Sequence, residues 1–205
     1  MPLSLPDRLL SALIALLALG AVAMRVGLTM QEDGEGFGAA VWELAYFFTI
    51  QTNLLIGLAF GLAAIRGRAL PAGVHLGLAT SILIVGVVYH ALLADIVEFT
   101  GLGRVADQFL HTVVPLLTLV HWAGFAPKRD LEPRQAATWL AYPAAYVAYV
   151  FVRAPHTGWY PYPFLDLSEQ SLGTTLLWIA GIAACFLATG LGLVATGRAL
   201  AARTA

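Results

Sequence analysis

Long apolar stretches alternate with short polar segments along the whole chain. Six stretches are long and apolar, at about residues 9–30, 40–65, 72–94, 105–126, 136–152 and 172–195. Because an α-helix rises about 1.5 Å per residue, about 20 apolar residues cross the hydrocarbon core of a bilayer. The alternating pattern of membrane β-strands is missing from these stretches. The pattern therefore predicts an all-α integral membrane protein, a six-helix transmembrane bundle.

The composition excludes a soluble globular domain. Hydrophobic residues make up 60% of the chain and charged residues only 11%, whereas soluble domains carry about 25% charged residues. The net charge of −1 gives no reason to expect a nucleic acid as a partner. Cys185 is the only cysteine, so no disulfide forms within the chain. We expect one transmembrane domain over residues 1–205, with the lipid bilayer as its solvent and without a cofactor.

The basic residues predict the orientation of the six helices, because cytoplasmic loops carry an excess of Lys and Arg. Only Arg25, Arg104 and Arg153 approach one side of a six-helix arrangement. The other side receives the remaining basic residues, namely Arg8, Arg66, Arg68, Lys128, Arg129, Arg134, Arg198 and Arg203. Both termini are therefore predicted to be cytoplasmic, and the connection at about residues 154–170 to lie outside.

The first apolar stretch has a second interpretation. Arg8, the apolar run after it and the segment Ala21-Val22-Ala23 resemble a signal peptide with a cleavage site after small residues. The apolar stretch continues past this segment and Arg25 follows it, which favours an intact first helix. Cleavage would leave five helices with the same orientation, so the charges do not distinguish the two cases.

The second predicted helix has a stripe of polar side chains on one face. Steps of three and four residues align Glu43, Tyr46, Thr49, Thr52 and Asn53. Polar groups inside a membrane are costly, so they indicate a functional site by default. They also form hydrogen bonds between helices in many bundles. Both interpretations stay open for this stripe.

The fourth predicted helix contains an acid, a histidine and a proline at intervals of four. Asp107 precedes His111 by four residues, so the two share a face. A carboxylate there fixes the imidazole tautomer and leaves the other nitrogen as a base. Pro115 has no N–H for the carbonyl of His111, which predicts a kink. The alternative is a structural histidine satisfied by a neighbouring helix.

The depths of these residues indicate one shared cavity. From the predicted helix starts, Thr49 lies about 14 Å and His111 about 8 Å below the outer surface. Arg25, Glu43 and His90 fall near the same level, which predicts a single outward-facing cavity. His90 is expected to be structural, His121 interfacial and His75 hydrated. Because the histidines lie at different depths, no metal site is expected.

Three motifs together carry a family resemblance. They are Tyr46-Phe47-Phe48-Thr49-Ile50-Gln51-Thr52-Asn53-Leu54, Asp107-Gln108-Phe109-Leu110-His111-Thr112-Val113-Val114-Pro115 and Gly158-Trp159-Tyr160-Pro161-Tyr162-Pro163-Phe164-Leu165-Asp166. With the order and spacing of the six stretches, they resemble the Pr6Pr bacterial membrane protein family. That family is similar to the eukaryotic androgen-induced (FAR-17a-like) family. The resemblance implies a location in the bacterial cytoplasmic membrane.

The resemblance also implies an activity. The eukaryotic branch consists of transmembrane threonine hydrolases that cleave fatty acid esters of hydroxy fatty acids. Its threonine follows an aromatic–apolar pair, which matches Phe47-Phe48-Thr49 and implies Thr49 as the nucleophile. Its histidine precedes a threonine and a proline, which implies His111 as the base. The residues after Thr49 differ in that branch, and Thr52 offers a second hydroxyl nearby.

A hydrolase of this kind needs further groups besides Thr49 and His111. The tetrahedral intermediate requires hydrogen-bond donors for its oxyanion, and the base needs a partner that orients it. The candidates for these two roles are Asp107, Tyr46, Asn53, Thr52, Gln108 and Arg25, with Gln51 as a further donor. The aromatic loop after Gly158 is expected to form an interfacial belt or a lid.

Three functions stay open at this point. The first is an intramembrane hydrolase of lipid or fatty-acid esters that uses Thr49 and His111. The second is a lipid-binding protein or carrier whose polar cavity binds without reacting. The third is a structural or partner-binding membrane subunit. Pro115 and Pro143 interrupt adjacent helices as in carriers, but the sequence has no internal repeat.

Overall fold

The computed structural model describes residues 2–203. It is 80% helical and contains no strand in that part of the chain, so the prediction of an all-α protein is confirmed. The first residue and the last two of the predicted domain lie outside the described residues.

Nine α-helices follow one another in residues 2–203. They are α1 (Leu5–Asp33), α2 (Phe37–Leu44), α3 (Phe48–Arg66), α4 (Ala72–Val88), α5 (Gly101–Gln108), α6 (Val114–Phe125), α7 (Pro133–Trp139), α8 (Ala141–Thr157) and α9 (Leu172–Arg203). Two π-helical turns extend them: Tyr89–Leu93 continues α4, and Phe109–Val113 joins α5 to α6. A short 3-10 helix, Pro163–Leu165, lies in the loop before α9.

Four helical runs are long and apolar enough to cross a membrane, which indicates a membrane protein. They are Leu5–Asp33, Phe48–Arg66, Ala72–Leu93 and Leu172–Ala202. The helix α8 is shorter, with 17 residues, and the run from α5 to α6 contains His111, His121 and Pro115. Neither of these two meets the same criterion. The count of six spans and the cytoplasmic position of the termini stay predictions.

The long helices run up and down between two ends of the bundle. Near the chain start, the N–H of Leu3 donates to the carbonyl of Gly67 at 2.9 Å, and Nε of Arg8 donates to the carbonyl of Ala64 at 2.7 Å. We call this end, where the loops at 67–71 and 126–132 also lie, the terminus end. The loops at 34–36, 94–100 and 158–171 lie at the opposite end, which we call the loop end.

The apolar core fills the space between α1, α3, α4 and α6. Its fully buried members include Ile14, Phe60 and Ile82. At Gly57 of α3, an added Cβ would overlap the side chain of Leu19 on α1. The close approach that this glycine permits is typical of helix pairs in membranes, and it fixes α3 against α1.

The predicted second span is divided into α2 and α3. Phe47 has extended backbone angles, φ −93° and ψ 128°, and ends the helical path. The break is stabilised from two sides: Nε2 of Gln51 donates to the carbonyl of Ala45 at 2.8 Å, and the hydroxyl of Tyr146 donates to the carbonyl of Tyr46 at 2.9 Å. Thr49 therefore lies in the first turn of a helix and not in the middle of one.

The kink predicted at Pro115 takes the form of a π turn. The N–H of Val114 donates to the carbonyl of Phe109, five residues earlier, so the turn is wider than an α-helical turn. This geometry accommodates a proline, which cannot donate to the carbonyl four residues before it. Gly86 of α4 lies against the carbonyl of His111, since an added Cβ would be 3.2 Å from its oxygen.

The predicted fifth span is also divided, into α7 and α8. A capping box formed by Glu132 and Gln135 begins α7. The indole of Trp139 donates to the carbonyl of Gly73 at 2.8 Å and holds α7 against α4. The last helix, α9, continues to Arg203 and is longer than the predicted span.

Candidate functional site

Thr49 and His111 meet at the loop end of the bundle. The hydroxyl oxygen Oγ1 of Thr49 lies 3.2 Å from Nε2 of His111. Thr49 is the second residue of α3 and is buried, and the side chain of His111 is only 13% exposed. The break before α3 and the π turn before α6 bring these two side chains together. The hydroxyl and the imidazole are thus within hydrogen-bond distance.

Asp107 determines which nitrogen of His111 carries the proton. Nδ1 lies 2.9 Å from the carboxylate oxygen Oδ1 of Asp107 and 3.1 Å from the backbone carbonyl of the same residue. The carbonyl accepts a hydrogen bond from Nδ1 and the negative carboxylate favours a proton on the same nitrogen, so Nδ1 carries the proton and Nε2 is unprotonated. Nε2 therefore accepts the proton of the Thr49 hydroxyl. Among the residues that the sequence suggested for orienting the base, Asp107 contacts Nδ1 of His111.

Tyr89 completes the environment of His111, and sequence reasoning missed it. Its hydroxyl donates to Oδ2 of Asp107 at 2.6 Å, and its ring stacks on the imidazole at 3.8 Å between centroids with 11° between planes. Tyr89 begins the π turn that ends α4, so both members of the stack lie on π turns. A tyrosine beside a histidine at the outer end of a predicted span was the available signal.

Asn53 joins the two segments that carry the pair. Its amide nitrogen Nδ2 donates to the carbonyl of Thr49 at 2.9 Å and to that of Leu110 at 3.2 Å. Both amide protons are therefore used on backbone carbonyls, one in each segment. Asn53 positions the first turn of α3 against the π turn, and its amide protons are not available to an oxyanion.

The start of α3 supplies donors that the sequence did not suggest. The first N–H groups of a helix have no carbonyl in a preceding turn, and no side chain caps α3. The N–H of Thr49 lies 3.5 Å from the hydroxyl of Tyr162, which comes from the aromatic loop before α9. The positive end of the helix dipole therefore lies at the turn that carries Thr49 and favours negative charge near it.

The other predicted candidates lie farther from the pair. The Tyr46 hydroxyl lies 3.2 and 3.1 Å from the carbonyls of Val150 and Trp159, and its ring stacks under the guanidinium of Arg153. Thr52 is fully buried and pairs with the Tyr142 hydroxyl at 3.1 Å.

Gln108 is exposed and accepts from Thr112 at 3.4 Å. Thr112 also pairs with His90, at 3.0 Å. Of the two hydroxyls considered for the nucleophile, Thr49 is the one within reach of His111.

A cavity of about 340 Å³ opens beside the pair, and its walls combine charged side chains with a larger apolar surface; we call it the polar cavity. Arg25, Glu43, Asp107 and His111 line it, together with apolar side chains. Arg25 forms an ion pair with Glu32 at 2.9 Å and lies over the ring of Phe99. Its second guanidinium nitrogen, Nη1, is buried without a hydrogen-bond partner. Four of the polar residues predicted to share a level thus line this cavity: Arg25, Glu43, Thr49 and His111. His90 does not line it.

An apolar cavity of about 360 Å³ lies on the other side of Thr49, between α4, α8 and α9. Its walls include Val85, Pro143, Ile182 and Phe186. Among the described residues that line it, none is charged. Thr49, Leu93 and Tyr162 line both cavities, so Thr49 lies where the two spaces meet.

A second polar cluster lies near the terminus end. Nε2 of His121 is 2.8 Å from Oδ1 of Asp7 and 3.0 Å from the hydroxyl of Ser11, and its Nδ1 is 3.3 Å from Nε2 of His75. All four side chains are buried. The predictions that His75 is hydrated and that His121 is interfacial are therefore wrong, because both rings are buried inside the bundle and contact each other there.

In residues 2–203, no group of three or more His, Cys, Asp or Glu side chains is arranged to hold a metal ion. Comparisons with known protein families, curated proteins and solved structures gave no match to this chain.

Proposed function

We propose that this protein is an intramembrane hydrolase of lipid esters, with Thr49 as the nucleophile and His111 as the general base. The observation that carries the proposal is the Thr49–His111 contact of 3.2 Å, with Nδ1 of His111 held by Asp107. A threonine hydroxyl is a weak nucleophile until an adjacent base removes its proton. The resemblance to the Pr6Pr family, through its similarity to the eukaryotic FAR-17a-like hydrolases, implies the same two residues and is part of the proposal.

The first half of the reaction forms an acyl-enzyme. Oγ1 of Thr49 attacks the ester carbonyl carbon while its proton moves to Nε2 of His111. The resulting imidazolium is stabilised by the carboxylate of Asp107. The oxyanion is stabilised by the N–H groups at the start of α3 and by the hydroxyl of Tyr162. His111 then gives the proton to the alcohol oxygen, and the carbon–oxygen bond of the ester breaks.

The second half of the reaction releases the fatty acid. His111 removes a proton from a water molecule, and the hydroxide attacks the acyl-threonine carbonyl. The carbon–oxygen bond to Thr49 breaks, and Oγ1 takes the proton back from Nε2. The products are a carboxylic acid and an alcohol, and the side chains return to their starting protonation states. A fatty acid ester of a hydroxy fatty acid is the proposed substrate type.

The proposal places the chain in the bacterial cytoplasmic membrane with six spans and both termini in the cytoplasm. The distribution of basic residues supports this orientation, because Arg8, Arg66, Lys128 and Arg198 belong to the terminus end. The polar cavity then faces the outside of the cell. In intact cells, a tag at either terminus should resist an external protease, and a tag inserted after Gly158 should be cleaved. Cleavage of an N-terminal tag on the full-length chain would reverse the orientation.

The hydrolase proposal is tested on purified protein with a fluorophosphonate probe and long-chain ester substrates. Wild type should cleave the ester and become labelled at Thr49, as mapped by mass spectrometry. Thr52→Val is the matched control, since it removes a buried hydroxyl of the same helix that pairs with Tyr142. It should keep both activities, and Thr49→Val should lose both. Retained hydrolysis in Thr49→Val would exclude Thr49 as the nucleophile.

A second candidate is a lipid-binding protein or carrier that does not react with its ligand. The apolar cavity of about 360 Å³ favours it, since such a space binds an acyl chain with or without a reaction. Wild-type protein that binds a long-chain ester, cleaves none and resists the probe would support this candidate over the hydrolase.

A further inference from the structure

The two cavities at Thr49 differ in chemistry. The cavity with His111 also has Arg25, Glu43 and Asp107 in its walls. The cavity between α4, α8 and α9 has three polar side chains in its walls among the described residues: Thr49, Tyr146 and Tyr162. The hydroxyl of Tyr146 donates to the carbonyl of Tyr46. This second cavity therefore has little to offer a polar ligand, and it suits a hydrocarbon chain.

The position of His111 decides which half of an ester enters which cavity. In the proposed reaction, His111 protonates the departing alcohol oxygen, so that oxygen must lie on the side of Nε2. His111 lines the polar cavity and does not line the apolar one. When an ester carbonyl carbon lies at Thr49, the alcohol half therefore extends into the polar cavity. The acyl half then extends the opposite way.

We propose that the apolar cavity between α4, α8 and α9 is an acyl-chain subsite, which selects esters of long, unbranched fatty acids. This inference rests on the proposed hydrolase function and adds the substrate's binding direction to it. The α9 wall extends from Ile179 to Phe186, two helical turns or about 10 Å along the helix. The chain thus lies along α9, away from Thr49 and toward the terminus end.

Ala183 gives the sharpest test, because its small side chain forms part of the cavity wall. Ala183→Phe should fill the cavity, and Ala184→Phe is the matched control. Ala184 is the next residue on α9, is exposed and does not line the cavity. Thermal unfolding in detergent should give similar midpoints for both variants and for wild type.

The measurement is kcat/KM for a butanoyl ester and for a hexadecanoyl ester of the same alcohol. Ala183→Phe should lower the ratio of the long to the short substrate by about tenfold or more, since a hydrophobic pocket discriminates by at least this factor when space is lost. Ala184→Phe should leave the ratio unchanged. Ile182→Ala should move the ratio in the opposite direction. An equal loss for both esters in Ala183→Phe, or an equal change in the control, would overturn the subsite.

Photolabelling distinguishes failure of the subsite from failure of the hydrolase. The probe is a hexadecanoic acid with a diazirine at the methyl end, which binds as the reaction product without needing any turnover. Labelling should map to α8 or α9, and it should fall in Ala183→Phe but not in Ala184→Phe. Labelling there by a protein that cleaves no ester would reject the hydrolase and keep the subsite. Labelling elsewhere by an active enzyme would reject the subsite and keep the hydrolase.

Discussion

Two clusters in this molecule combine a hydroxyl, an imidazole and a carboxylate, and they differ in how the imidazole uses its nitrogens. At the loop end, His111 faces Asp107 with Nδ1 and Thr49 with Nε2. At the terminus end, His121 faces both Asp7 and Ser11 with Nε2. The first arrangement leaves one nitrogen for the hydroxyl proton. In the second, carboxylate and hydroxyl compete for the same nitrogen.

The surroundings of the two clusters also differ, because only one cluster borders the two cavities. Thr49 lies where two cavities meet, whereas neither of these cavities is lined by Ser11 or His121. The rings of His75 and His121 stack at 5.1 Å, with the edge of Phe60 against both. Nearby Lys128 is partly buried, and this burial lowers the pKa of its ammonium group. Similar residue types thus make an accessible pair at one end and a closed interhelical contact at the other.

The largest expected effect is a loss of activity that distinguishes the Thr49 hydroxyl from the Ser11 hydroxyl. Thr49→Val should lower kcat/KM for a lipid ester by about 10⁴-fold or more, because the nucleophile is lost. The Thr49→Val/His111→Ala double variant should be little worse, since residues that act as a unit are non-additive. Ser11→Ala, the matched change in the other cluster, should keep wild-type activity. Equal losses in Thr49→Val and Ser11→Ala would abolish the functional distinction.

The next effect concerns stability. His121→Ala leaves the carboxylate of Asp7 buried with the Ser11 hydroxyl, at 3.4 Å, as a remaining donor. Removing one partner of a buried pair costs about 3–5 kcal/mol of unfolding free energy. His111→Ala should cost less, because Asp107 keeps the Tyr89 hydroxyl and borders a cavity. Unfolding midpoints in detergent measure this contrast. A larger loss in His111→Ala would contradict it.

A smaller effect is expected from Asp107→Asn. The backbone carbonyl of residue 107 still accepts from Nδ1 of His111, so the tautomer is partly retained, but the negative charge that stabilises the imidazolium is lost. An interaction with a charged group contributes about 1.5–3 kcal/mol, so we expect kcat/KM to fall by about tenfold to 10²-fold, with little change in KM. Asp7→Asn serves as the control in the other cluster and should leave kcat unchanged. An Asp107→Asn variant with full activity would show that His111 needs no carboxylate.

The smallest effect tests Tyr89. Tyr89→Phe keeps the stacked ring and removes one hydrogen bond to Asp107. A hydrogen bond contributes about 1 kcal/mol, so kcat should fall about fivefold while KM stays constant. Tyr142→Phe removes a comparable hydroxyl that pairs with Thr52, and it should leave kcat unchanged. If both variants behave alike, Tyr89 has only a structural role.

Hydropathy and local spacing were enough to predict part of this molecule. The long apolar helices follow from runs such as 172–195, and the Asp107–His111 contact follows from a separation of four residues in a helix. The resemblance pointed to Thr49 and left Thr52 open as a second hydroxyl, and the structure brings the hydroxyl of Thr49 to His111. These features depend on the residue types near one another in the chain.

The parts that sequence reasoning missed depend on distant contacts. Phe47 ends a helical path inside an apolar run, with the carbonyl of the preceding residue bonded to Tyr146, about 100 positions away. Tyr162 reaches Thr49 from a loop 113 positions away. Hydropathy places His75 and His121 near water, but hydrogen bonds to each other and to Asp7 and Ser11 accompany their burial inside the bundle. No pattern in a single sequence reports such pairings.

The π turns at Tyr89–Leu93 and Phe109–Val113 affect how related sequences should be aligned. Each turn holds one more residue than an α-helical turn of the same span. A lineage that shortened either helix by a single codon could close the turn into a regular helix and rotate the flanking side chains out of phase. The stack of Tyr89 on His111 would then be lost without any substitution at either position. In an alignment of related sequences, a one-residue gap at either π turn therefore indicates a changed site more strongly than many substitutions elsewhere.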